Sequence, residues 1–178
     1  MSSRLDCRRI GALQMTDALS ILAVVLVAVT MGLALAHALE YPGKLRLDEA
    51  TYRQVQAVYY PGFTVGGLVG EAGALLVLPV LLVMLPYGSE RFWWAAAAFA
   101  CLLTCHAVYW TITHPVNGFW LKDTDVGSAG SAFFLLLAGQ ETNWQRMRDV
   151  WEYSHIARAV LAMAALVSLS TAGIAKDG

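Results

Sequence analysis

Charge is scarce in this sequence. Of 178 residues only 14% are Asp, Glu, Lys or Arg, and they sum to -1 at pH 7. With a mean hydropathy of +0.56, so little charge lies outside the composition of soluble domains of this length. The near-neutral sum also removes the basic surface that nucleic-acid binding needs, so no nucleic-acid partner is expected. Cysteine is nearly absent: Cys7, Cys101 and Cys105 make no disulfide framework. Cys101 and Cys105 lie one helical turn apart in an apolar run and read as packing residues. There is no internal repeat and no low-complexity segment, which excludes a solenoid.

Apolar runs are what the chain has in quantity. Four of them, 17–39, 61–85, 92–113 and 153–175, reach the ~20 residues that a helix needs to cross a bilayer. The first is too long in its apolar core, and its end AHALEYPGK too poor a cleavage site, for a signal peptide. The expected fold is an all-α membrane protein of one domain, an antiparallel bundle of four transmembrane helices. PYGSER makes a tight turn between the second and third. LDEATYRQVQAVYY has Val55 and Val58 with Tyr52 and Tyr59 at helical spacing and predicts a short helix lying in the interface after the first span, stopped by Pro61. The long connection from Pro115 to Asn143 is expected to cap the bundle. Within it SAFFLLLAG is too short to span, and Thr142 or Asn143 can cap the next helix. Trp93, Trp94, Trp120, Trp144 and Trp151 fall near the ends of the spans, as an aromatic belt does.

Arg4, Arg8 and Arg9 before the first span favour a cytoplasmic N-terminus, in a bacterial inner membrane, and an even number of spans returns the C-terminus to the same side. Lys44, Arg46, Arg53, Lys122, Arg146 and Arg148 fall on the opposite side and weigh against that orientation.

The informative residues are the polar ones inside the spans: His37 and Glu40, Glu71, His106 with Tyr109, and Glu152, His155 and Arg158. Threaded antiparallel, every histidine falls in the half of the bilayer nearest the long loop. At 1.5 Å per residue, His106 lies about 12 Å deeper than His114, and Glu71 about 15 Å below Pro61. Charges at such depth cost about 2.5–3.5 kcal/mol each and face the bundle interior and each other. One reading is a site lined by His37, His106, His155, Glu71 and Glu152. The other is a structural network, with Arg158 neutralising Glu71 or Glu40 and the outer groups, Glu40, Glu152 and His114, reaching to the interface.

Cofactor chemistry stays open at this level. HALE and EYSH each set a carboxylate and an imidazole three residues apart, so His37, Glu40, Glu152 and His155 with Glu71 could form a di-metal site of the carboxylate-bridged kind. A haem b held by two of His37, His106 and His155 is equally compatible, as is no cofactor. A copper site from the adjacent Cys105 and His106 is disfavoured, since neighbours on a helix point about 100° apart. Gly62, Gly66, Gly70 and then Ala74 form a small-residue stripe that lets another helix approach closely, within the bundle or in a homo-oligomer.

HPVN (His114–Asn117), with W-x-x-x-H-x-x-R (Trp151, His155, Arg158) later in the chain, resembles the small four-helix membrane proteins grouped with anthrone oxygenases. That family shows Pro-x-Asn after the third helix and a Trp, a His or Asn, and an Arg opening the fourth. AHALEYPGKLRL and YRQVQAVYYPGF resemble uncharacterised bacterial membrane proteins of the same type. The resemblance implies an oxygenase-like activity on a polycyclic aromatic substrate, with no required metal. It nominates Asn117, Trp151, His155 and Arg158. Two function classes remain. One is a membrane oxidoreductase in which His155 or His106 acts as base and Arg158 stabilises an anion on a lipophilic molecule arriving from the bilayer. The other is a non-enzymatic, haem- or metal-binding or purely structural subunit of a larger membrane complex.

Overall fold

The computed structural model describes residues 2–121, 127–136 and 143–175. Among them there is no strand, and four helices are long and apolar enough to cross a membrane. α1 is Ser2–Lys44 and α2 is Glu49–Met84, interrupted by a π turn at Leu68–Ala72. α3 is Glu90–Leu121, with a π turn at Tyr109–Thr113; α4 is the short Gly127–Leu135; α5 is Trp144–Ile174.

Several boundaries differ from those expected, each for a local reason. α2 does not stop at Pro61 but runs through it, so the stretch before Pro61 is the first part of a long helix and not a separate one. Proline removes one donor and crowds the preceding turn. In an apolar setting that loss is smaller than the loss of several backbone hydrogen bonds on breaking the helix. α3 likewise continues through HPVN, which therefore lies inside the third helix and not after it. Pro115 has no N–H to give to the carbonyl four residues back. The chain widens instead, and the His114 N–H bonds Tyr109 O, five residues back. The π turn of α2 falls in a glycine-rich stretch with Gly66, Gly67, Gly70 and Gly73.

The ends are capped by side chains. Asp48 Oδ1 accepts from Thr51 N at 2.8 Å, which holds that carboxyl below its ordinary pKa. Ser89 Oγ accepts from Phe92 N at 3.1 Å, after Gly88 turns the chain at φ +83. Asn143 Oδ1 accepts from Arg146 N at 2.9 Å, so Asn143 is the cap of α5; Thr142 lies outside the described residues. α5 thus starts well before residue 153. The added turns carry Trp144, Met147 and Val150, which pack with Trp151 against Tyr52 and Trp120.

Two apolar layers result. One holds Val27, Leu78, Leu81, Ala95, Ala98, Leu102, Ala165 and Leu169. The alanines let α3 and α5 lie close together. The other holds Tyr52, Tyr60, Val116, Trp120, Phe134 and Trp151. Between them lies the polar layer. The glycine stripe faces α1: a Cβ on Gly66 would meet Leu33, and one on Gly70 would sit 2.9 Å from Thr30 Oγ1 and 3.1 Å from the Leu26 carbonyl oxygen. The outer surface is apolar, with Leu39, Val58, Leu76 and Val83 turned outward.

Candidate functional site

The polar layer encloses a cavity of about 510 Å³ with walls from all five helices. Its floor is a chain of side chains. The Arg158 guanidinium donates to Glu71 Oε2 at 2.5 Å, and Glu71 Oε1 meets His106 Nδ1 at 2.7 Å. Trp110 Nε1 donates to His106 Nε2 at 2.9 Å. Because Nε2 accepts, the His106 proton is on Nδ1, directed at the carboxylate. Glu71 stands in the first π turn, and Tyr109 and Thr113 in the second. Such turns re-aim side chains and recur at functional sites.

The opposite wall is aromatic. The His37 and His155 rings lie edge to face, 4.4 Å between centroids, with Trp151 4.0 Å from His155 and Phe63 4.4 Å from His37. His155 Nδ1 donates to the Trp151 carbonyl oxygen at 2.9 Å, which leaves Nε2 as the lone-pair nitrogen of a ring that lines the cavity. Asn117 Oδ1 accepts from both Tyr60 Oη, at 2.9 Å, and Trp151 Nε1, at 2.8 Å, and so ties α2, α3 and α5 together at one oxygen. Thr113 Oγ1 donates to Ser154 Oγ at 2.9 Å.

His37, Glu71, His106, Asn117, His155 and Arg158, all nominated from the sequence, therefore line one cavity. Glu40 and Glu152 do not. Fully buried Glu152 accepts from Tyr52 Oη at 2.7 Å and pairs with Lys44 Nζ at 3.3 Å; Glu40 pairs with the same ammonium at 3.3 Å. Lys44 also lies over the Tyr59 and Trp151 rings, at 4.9 and 5.0 Å. This second network sits behind the aromatic wall. His114 does not reach to the interface: it is buried, bonded to Tyr109 Oη at 3.1 Å and to the Phe133 carbonyl oxygen at 3.1 Å, and pins α4 to α3.

The fit of metal and haem can be tested on this geometry. The two His–Glu motifs converge on the Lys44 ammonium, which takes the place between their carboxylates where a bridging metal would sit. Among the described residues no three His, Cys, Asp or Glu side chains gather as a metal site. Two imidazoles on opposite faces of one haem iron would hold their nitrogens ~4 Å apart and their centroids farther still. The His37 and His155 rings, in edge contact, leave no room for a macrocycle. His106 has both nitrogens engaged, and Cys105 Sγ contacts the Arg158 carbonyl oxygen at 3.8 Å.

Sequence reasoning missed Lys44, Trp110 and Tyr60 as parts of the site. Lys44 comes one helical turn after Glu40, and Trp110 one turn after His106. That i, i+4 spacing was the available signal. Compared with known proteins, the chain matches no family model, no curated protein and no solved structure.

Proposed function

We propose that this chain is an integral membrane protein of the bacterial inner membrane, its four helices antiparallel and both termini cytoplasmic. It holds a lipophilic molecule in the cavity and takes a proton from it. The observation that carries the reading is the state of His155. With Nδ1–H committed to the Trp151 carbonyl, Nε2 is a ready acceptor in an apolar chamber, and Arg158 stands one turn away on the same helix. His106 is less suited as base, because Trp110 and Glu71 occupy both its nitrogens. Arg158 lines the cavity and brings to it the positive charge that a developing anion needs.

The resemblance to anthrone oxygenases supplies a reaction in which these roles close. His155 Nε2 takes a proton from an activated CH₂, and Arg158 faces the oxygen on which the negative charge collects. Dioxygen, the co-reactant, accepts the electrons. One oxygen atom becomes the new carbonyl and the other leaves as water, which also receives the proton held on His155. Trp151, Phe63 and Tyr109 supply flat apolar surface for such a substrate.

The test is oxygen uptake by the purified protein in lipid nanodiscs supplied with anthrone. His155→Ala should lower turnover by about 10²–10⁴-fold, the usual worth of a positioned base. Equal rates for His155→Ala and the parent would refute the assignment. No turnover by the parent would favour the non-enzymatic subunit.

A further inference from the structure

Three of the four walls around the cavity are closed by packing. α1 lies along α5, α3 lies along α5, and α1 meets α2 through the glycine stripe. The fourth wall, between α2 and α3, is different. Below the site these helices pack through Leu78, Leu81, Ala98 and Leu102. At the site they are joined by the Glu71–His106 bond, and above it by the Tyr60–Asn117 bond. Between those two bonds they have little direct contact. The span from Tyr60 to Glu71 is about 16 Å at 1.5 Å per residue.

The rim of this gap can be read from residues that line the cavity and are also exposed. Leu68 does both, at 70% exposure, and so do Thr64 and Phe133. The His106 side chain, in mid-helix and bonded to a buried carboxylate, is still 34% exposed. Thr64, Leu68 and His106 lie inside the apolar spans, away from either end, so what borders the gap at their level is hydrocarbon.

We propose that the cavity is loaded sideways, from the bilayer, through this window between α2 and α3. Leu68 and Gly67 form its sill on one side, Trp110 stands on the other, and Phe133 of α4 lies above. The inference rests on the reading of the cavity as a binding chamber and deepens it. The ligand it admits is uncharged and membrane-dissolved, because a charged one would pay desolvation in the hydrocarbon before reaching Arg158. Gly67 is the position at which the window can be shut. It lines the cavity, and a Cβ there meets nothing within 4 Å.

The experiment uses the full chain in nanodiscs and an apolar carbene precursor, iodophenyl trifluoromethyl diazirine, which dissolves in the bilayer. Photolysis and then peptide mapping read which residues it has reached. In the parent protein, cavity residues such as Tyr109 and His155 should be labelled together with lipid-facing Leu76 and Val83. Gly67→Phe should abolish the cavity labelling and leave that of Leu76 and Val83 unchanged, which also shows that the variant is folded. Leu68→Trp, at an exposed position, is the second closing variant. Cavity labelling retained in both overturns the window, as does its absence in the parent. The two readings fail separately. A labelled cavity in a protein without turnover removes the reaction and keeps the window. Turnover with cavity labelling that neither closing variant alters removes the window and keeps the reaction.

Discussion

Removing Arg158 should cost less than removing its partner. Arg158 and Glu71 are both buried, with side chains 11% and 6% exposed. Breaking a buried ion pair by deleting one member costs about 3–5 kcal/mol, because the other charge is stranded. The two halves are not equivalent here. In Arg158→Met the Glu71 carboxylate keeps His106 Nδ1 at 2.7 Å and can also take up a proton, so the loss should fall near the lower bound, about 3 kcal/mol. In Glu71→Leu the guanidinium loses its acceptor and cannot shed its proton, so the loss should approach about 5 kcal/mol. For a chain of this size about 3 kcal/mol corresponds to a fall of roughly 6–12 °C in Tm. The double variant should recover part of the summed loss, since neither charge is then stranded. Thermal melting in one detergent, with all four proteins side by side, reads the cycle. Strict additivity, or Arg158→Met costing more than Glu71→Leu, would refute the reasoning.

Packing and topology give two further outcomes. Gly70→Val should destabilise by about 1–3 kcal/mol through overpacking, because its Cβ meets the α1 backbone at 3.1 Å, whereas Gly62→Ala, with nothing within 4 Å, should be neutral; equal melting of the two would refute the close approach of α1. In a background without native cysteines, Asp48→Cys and Tyr87→Cys should react with an impermeant thiol reagent from opposite faces of sealed vesicles, and reaction from one face would refute the antiparallel arrangement.

The long apolar helices were legible because a bilayer demands length and apolarity, and those are properties of composition. The gathering of His37, Glu71, His106, His155 and Arg158 was legible for a related reason: a charge in mid-span must face inward, so depth along each helix is enough to bring such groups to one level. The fate of Glu40 and Glu152 was not. Near the helix ends depth no longer decides. Lys44, which looked like a loop charge, is in fact buried against Tyr59 and Trp151 and pairs with both acids, while Glu40 Oε2 also stays 4.0 Å from His37 Nδ1. The stops assigned at Pro61 and after His114 failed because the rule that proline ends a helix is weighed against water, and hydrocarbon offers the freed backbone nothing better.

The π turns carry the same point into the site itself. On an uninterrupted α-helix His106, Tyr109, Trp110, Thr113 and Asn117 would form one narrow stripe, at intervals of three and four residues. Such a stripe could serve one neighbouring helix well. α3 has to serve two, since His106 bonds Glu71 on α2, Thr113 bonds Ser154 on α5, and Asn117 bonds Tyr60 and Trp151 on both. One inserted residue rotates the rest of the helix by about 100°, which fans the stripe out across that gap. Pro115 makes the insertion inexpensive by having no N–H to lose. The HPVN motif, read from the sequence as a loop signal, therefore acts as the device that spreads one helical face across the cavity, with His106 held to α2 and Thr113 to α5.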